Sequence, residues 1–171
     1  MVKWIGAVLV FAAGTMIGWY MSQQYANRPR HIRTLIQALQ RLETEITFGH
    51  TPLPEALRRI AGQTSEPVAE MFRRAAEELE SHTARTADAW QTSVRASWGR
   101  TAMKESEQDI VLQLGHSLGA SDRLDQIKHL RLAMNQLQCE EENAAEEERR
   151  YAKMWRSLGM LGGALVVILM F

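Results

Sequence analysis

Five histidines, one cysteine and a run of glutamates are the side chains in this sequence with the chemistry to hold a metal or to catalyse. His31, His50, His82, His116 and His129 are scattered, and none has a second histidine or cysteine three or four residues away. A zinc site needs such converging ligands, so no metal is expected. His50, beside Gly49, reads as a local cap at a helix end. Cys139 closes an apolar helical stripe and is followed by Glu140, Glu141 and Glu142, whose charges would raise a thiol pKa. It reads as a spectator. The carboxylates from Glu140 to Glu148 would suit general acid–base work only if a pocket gathered them; strung along one helix, they form a solvated face. Gly99-Arg-Thr-Ala-Met-Lys lacks the second glycine and the Lys-Ser/Thr pair of a phosphate loop, and no Gly-x-Ser-x-Gly elbow occurs. No catalytic residue and no cofactor is assigned, so interest shifts to helical surfaces.

The elements that carry these residues are helical. Ile32, Leu35, Ile36, Leu39, Leu42 and Ile46 form one stripe at three-and-four spacing, with Pro29 placed to start the helix and Gly49 to end it. Thr51 and Pro52 suit the cap and first position of a second helix, whose buried face is Leu53, Leu57 and Ile60. Pro67 opens a third, with Val68, Met71, Phe72, Ala75 and Leu79 inward. A fourth is expected from Thr86 to Trp98, where Trp90, Val94 and Trp98 recur as core. A fifth runs from about Met103 to Leu118 through Ile110, Val111 and Leu114, closed by Gly119. Ser121 is a candidate cap for the last helix. No proline or glycine follows until Gly159, so a single helix from Asp122 would exceed ~60 Å at ~1.5 Å per residue. Leu124, Ile127, Leu130, Met134 and Leu137 are its expected packing face. From Glu140 to Arg150 apolar side chains nearly vanish, which reads as a solvated stalk or a docking face for a basic partner. Glu146 and Arg150 stand at pairing distance along it. No strand pattern occurs. The expectation is an all-α, compact bundle of about five or six helices.

Both ends of the chain are apolar. No Asp, Glu, Lys, Arg or His lies between Trp4 and Asn27, nor between Ser157 and Phe171. A hydrocarbon core takes roughly 20 apolar residues as a helix, so 2–22 is expected to be an N-terminal transmembrane helix. Trp4 at one edge and Trp19 and Tyr20 at the other are placed as interfacial anchors. The tail 157–171 covers ~22 Å against ~30 Å of hydrocarbon, a short C-terminal span with Arg156 snorkelling. The soluble parts are a bundle domain at 28–139 and a charged stalk at 140–156. Arg28, Arg30 and Arg33 follow the first segment, and Arg149, Arg150, Lys153 and Arg156 precede the second; only Lys3 lies beyond. The positive-inside rule then puts the bundle in the cytoplasm. Gly14 with Gly18, and Gly159 with Gly163, give each segment a flat strip for close helix packing.

Twenty basic residues balance twenty acidic ones, which leaves no electrostatic case for nucleic acid. The single cysteine excludes an internal disulfide and fits a reducing compartment.

Three stretches resemble one known family: Arg28 to Leu57, which includes Thr51-Pro-Leu-Pro-Glu-Ala-Leu; Gln113-Leu-Gly-His-Ser-Leu-Gly-Ala-Ser-Asp; and Tyr151-Ala-Lys-Met-Trp-Arg-Ser-Leu-Gly-Met-Leu-Gly-Gly. The resemblance is to the stage III sporulation protein AB family and runs over essentially the whole chain. That family is similar in turn to the cytoplasmic domain of the F protein of type II secretion and type IV pilus machines, here through Thr51 to Ile60. The resemblance implies a helical domain on the mother-cell side of the outer forespore membrane. It also implies membership of the channel complex between mother cell and forespore, with that complex's secretion-type ATPase, the AA protein, as a partner. F proteins carry two such domains and usually three spans. This chain has one domain and at most two, so a full platform would need self-association. No catalytic residues carry over.

The expected function is therefore a non-enzymatic, membrane-anchored assembly or platform subunit. Its candidate partner contacts are Arg28, Arg30, Arg33, Arg58, Arg59, Glu140, Glu141 and Glu142. Alternatives are a helical interaction protein of another partner, a membrane-tethered enzyme with a pocket built from distant residues, or a surface adhesin after signal cleavage. Without a partner, the same charges solvate the bundle and attract anionic lipid.

Overall fold

The computed structural model describes residues 26–49, 51–81, 85–119 and 122–170, with the side chains of the last stretch described to Tyr151 and at Met154. Among these residues the protein is all-α, with six helices: α1 at 26–48, α2 Leu53–Gly62, α3 Val68–Glu80, α4 Thr86–Trp98, α5 Glu105–Ser117 and α6 Arg123–Met170. The segment 2–22 lies outside the described residues. Among those described, no helix is long and apolar enough to cross a membrane.

The apolar stripe of α1 folds as its spacing predicts, with Ile32, Leu35, Leu39 and Leu42 fully buried. The chain is already helical at 26, so Pro29 sits within the helix. At α2 it is Pro52, extended at ψ 145°, that occupies the cap position, and its carbonyl accepts the Ala56 N–H at 3.0 Å. No side chain caps this helix.

Helices α2 to α5 pack in sequence order. Phe72 of α3 meets Trp90 of α4 edge to face, with centroids 5.7 Å apart. The Trp90 indole Nε1 donates to the Val111 carbonyl of α5 at 2.7 Å, which satisfies its one polar atom inside the core. Two glycines make these contacts possible. A Cβ on Gly115 would lie 2.8 Å from Trp90 Cδ1. Gly119 ends α5 at φ +74°, a conformation that favours glycine, and a Cβ there would meet Thr86 Oγ1 at 2.8 Å.

The last helix is continuous for 48 residues, ~70 Å at 1.5 Å per residue. Ser121 lies outside the described residues; the observed cap is Asp122, whose Oδ1 accepts the Asp125 N–H at 2.8 Å. Leu130, Met134 and Leu137 are buried as expected, but Leu124 is 77 % exposed. It stands six residues before Leu130, about a third of a turn off the buried face at ~100° per residue. Phe48, at the end of α1, is likewise exposed.

α1 and α6 run antiparallel. Arg123 reaches the Gly49 carbonyl at 3.3 Å, Arg131 pairs with Glu43 at 2.6 Å, Arg33 pairs with Glu141, and Arg28 meets Glu147 at 2.8 Å. The solvated stalk is therefore a part of the bundle at its start. Ala144 is 1 % exposed, and Glu140, Glu141 and Glu147 turn toward basic residues of this chain.

Candidate functional site

Arg28 stands four residues before Ile32, so the helical period puts it on the buried stripe of α1. Glu107 likewise precedes Val111 and Leu114 on the buried face of α5. The two meet. Arg28 Nε and Nη2 both donate to Glu107 Oε1, at 2.8 and 2.5 Å. Arg28 Nη2 also reaches Glu140 Oε2 at 3.1 Å, and Nη1 reaches Glu147 Oε2 at 2.8 Å. The Arg28 side chain is 5 % exposed and that of Glu107 0 %.

The second oxygen of Glu107 accepts the Lys104 backbone N–H at 2.7 Å and the Ser106 hydroxyl at 3.2 Å. The same carboxylate thus pairs with Arg28 and ties down the start of α5. Lys104 Nζ in turn donates to both oxygens of Glu147 at 2.9 Å. This bond from Lys104, against some desolvation and aided by the charges of Lys104 and Arg28, holds the Glu147 carboxyl below its ordinary pKa. One guanidinium therefore joins α1, α5 and α6 in the first described turn of α1. A buried charge without such partners would cost several kcal/mol (order of magnitude).

Nearby, His31 Nδ1 accepts the Ala102 backbone N–H at 3.0 Å. Burial, and next the charge of Arg30, lower its pKa, so the ring is held neutral with its acceptor facing the chain that leads into α5.

The sequence-derived contacts fall into separate groups. Arg28 and Glu140 share this network, and Arg33 and Glu141 pair beside it. Arg30 and Glu142 are exposed and form no ion pair among the described residues. Arg58 pairs with Glu80, and Arg59 with Glu45 at 3.0 Å and Glu55 at 3.5 Å, on a different face. Gly14 and Gly18 lie outside the described residues; Gly159 and Gly163 lie within α6. The sequence reading gives Glu107 and Lys104 no role and places Glu147 only in the solvated carboxylate face Glu140 to Glu148, whereas Glu147 pairs with Arg28 and Lys104. Glu107 carried a signal, its phase with Val111 and Leu114; Glu147 carried a weaker one, three residues beyond the alanine that α6 buries.

Among the described residues no group of three His, Cys, Asp or Glu side chains is placed to hold a metal. Cys139 is exposed. The arrangement is a joint of charged hydrogen bonds between α1, α5 and α6.

The whole chain also matches known proteins. Residues 3–171 match the family model described as Stage III sporulation protein AB. The chain belongs to the stage III sporulation protein AB family. It is 39 % identical over 170 residues to Stage III sporulation protein AB of Bacillus subtilis (strain 168), covering 99 % of each chain. A solved structure of a Stage III sporulation protein AB is similar at a TM-score of 0.69 and 38 % identity, over 72 % of this chain and 98 % of that one. Membership makes the protein a component of the sporulation machinery, and the resemblance carried by Arg28 to Leu57 holds.

Proposed function

We propose that this stage III sporulation AB protein is a non-enzymatic, membrane-anchored assembly subunit of the channel complex between mother cell and forespore. Its bundle stands in the mother-cell cytoplasm and couples a secretion-type ATPase to membrane components. The observation that carries this reading is the Arg28 joint. It clamps α1 and α6, the two helices next to the apolar segments, so force on the bundle passes to both segments together. Arg28 stands six residues beyond the first segment, and Glu147 stands ten residues before the second on the same continuous helix. The Gly14–Gly18 and Gly159–Gly163 strips are the proposed surfaces by which the two anchors pack on each other or on a partner's helix. The segments 2–22 and 157–171 serve as the anchors, and self-association of several copies completes a platform.

Arg58 and Arg59 are the proposed contacts for the ATPase. Their side chains are 59 % and 48 % exposed, and they lie on a face away from the joint. Exposed charges of this kind select and steer partners more than they add affinity. The test is the pair of changes Arg58→Glu and Arg59→Glu in the spore-forming host. Surface ion pairs contribute only ~0–1 kcal/mol each, so protein level and melting stay close to wild type. Recovery of the ATPase with the full-length protein falls, and spore counts fall with it. Unchanged recovery and normal counts would remove these two arginines from the model.

A further inference from the structure

The end of the bundle where α1 stops and α6 starts carries exposed apolar side chains. Phe48 is 80 % exposed and Leu124 77 %, the two most exposed large hydrophobics among the described residues. Their chain neighbours touch, since Arg123 reaches the Gly49 carbonyl at 3.3 Å. A cleft of about 220 Å³ opens at that contact, walled by Ile46, Leu53 and Ala56 and by Glu45, Gly49 and Arg123. Single exposed hydrophobics are ordinary; two of them beside an apolar-walled cleft mark an interaction site. The volume falls below the ~300–1,000 Å³ of small-molecule sites, so it suits one side chain presented by another protein. The two charged groups of the cleft differ. Glu45 is held by Arg59 at 3.0 Å. Arg123 meets a carbonyl and has no carboxylate partner among the described residues. The cleft thus offers apolar walls and one uncommitted positive charge.

We propose that the cytoplasmic ATPase docks on this end of the bundle, inserting one apolar side chain into the cleft between Phe48 and Leu124 and setting a carboxylate against Arg123. The proposal rests on the reading of Arg58 and Arg59 as ATPase contacts, and it supplies the apolar anchor that those charges lack. The two surfaces are continuous, because the Glu45 that Arg59 holds is also a wall of the cleft. Exposed charges steer a partner, whereas a few side chains seated in pockets carry most of the affinity. The place of the patch selects a soluble protein as its occupant. Twenty residues of α1 separate Phe48 from Arg28, ~30 Å at 1.5 Å per residue. Leu124 precedes Ser157 by 33 residues of continuous helix, ~50 Å on the same measure. A headgroup layer is ~5–8 Å deep, so lipid does not reach the patch. Copies anchored in one membrane present this end in the same direction, so their ends do not meet.

The test uses the full-length protein in nanodiscs, with the purified ATPase as the probe and its binding followed by surface plasmon resonance. Phe48→Ser and Leu124→Ser should each weaken binding roughly tenfold, chiefly through faster dissociation, and Leu124→Met should keep it. Arg123→Gln should slow association and reduce its dependence on salt. Melting should stay near wild type in all four variants, because these side chains are exposed. Wild-type affinity in both serine variants, with binding lost on changing Arg58 and Arg59 to Glu, would overturn the apolar anchor and leave the ATPase reading standing. No binding by the wild-type protein would refute that reading and the docking surface with it. Serine variants that lose self-association, read by mass photometry, while holding the ATPase at full affinity would give the patch to a second copy and overturn the assignment.

Discussion

Arg28 and Glu107, 79 positions apart in sequence, form the one ion pair among the described residues in which both side chains are buried. The pair closes at 2.5 Å between Nη2 and Oε1. It fastens the first helix to the fifth, and Glu140 and Glu147 extend the same hold to the sixth.

Removing one side of this pair leaves the other buried and uncompensated. Glu107→Ala should destabilise the full-length protein by about 3–5 kcal/mol, read as the shift of a urea or thermal transition in detergent. The double change Arg28→Met with Glu107→Leu should be less destabilising than Glu107→Ala, because it buries no charge. A double variant as unstable as the sum of its singles would show that the two residues are not coupled.

His31 makes stability sensitive near neutrality. Its folded pKa is lowered by burial and by Arg30, so the unfolded chain takes up a proton first as pH falls. The contribution is therefore complete above the ordinary histidine value of about 6.5 and is lost as pH falls from there toward the lower folded value. Melting temperature should drop between about pH 7.5 and about pH 5.5, and His31→Gln should flatten that drop. Identical slopes in the two proteins would remove His31 as the cause.

Glu147 acts in a more acidic window. Its folded pKa is lowered chiefly by the bond from Lys104, so its contribution is present above the unfolded carboxylate pKa and lost as pH falls through the folded one. Lys104→Met should reduce the loss of stability on acidification below about pH 4.5. An acid transition of the same steepness in that variant would contradict the assignment.

Much of the bundle was legible before any coordinates. The fourth helix occupies Thr86–Trp98 as read, because a tryptophan–valine stripe between a threonine and a glycine leaves little choice of boundary. The stripe of α1 was clear for the same reason. Leu124 is hydrophobic, but its helical angle, about a third of a turn from Leu130, carries it off the buried face. The charged stretch after Cys139 departs further from expectation. Composition said solvated, yet α1 lies alongside it and supplies Arg28 and Arg33. Such pairing between residues more than a hundred positions apart leaves no local pattern. The helical phase of Arg28 and Glu107 with buried neighbours was the trace available.

Gly115 is a packing requirement of the same kind. Gly115→Ala would put a methyl carbon 2.8 Å from Trp90 Cδ1, against a rigid ring already fixed by its bond to Val111. Despite the higher helix propensity of alanine, the expected cost is about 1–3 kcal/mol, seen as a lower denaturation midpoint. A midpoint equal to or above wild type would mean that α4 and α5 can part without penalty.

The central claim is that the clamped bundle stands in the cytoplasm at a membrane. Cys139 is the only cysteine in the chain and is exposed on α6, so the natural protein carries its own topology probe. Intact sporangia treated with a membrane-impermeant maleimide should leave Cys139 unlabelled, and lysed sporangia should show it labelled. Labelling in intact sporangia would place the bundle outside the cytoplasm and contradict its coupling to a cytoplasmic ATPase.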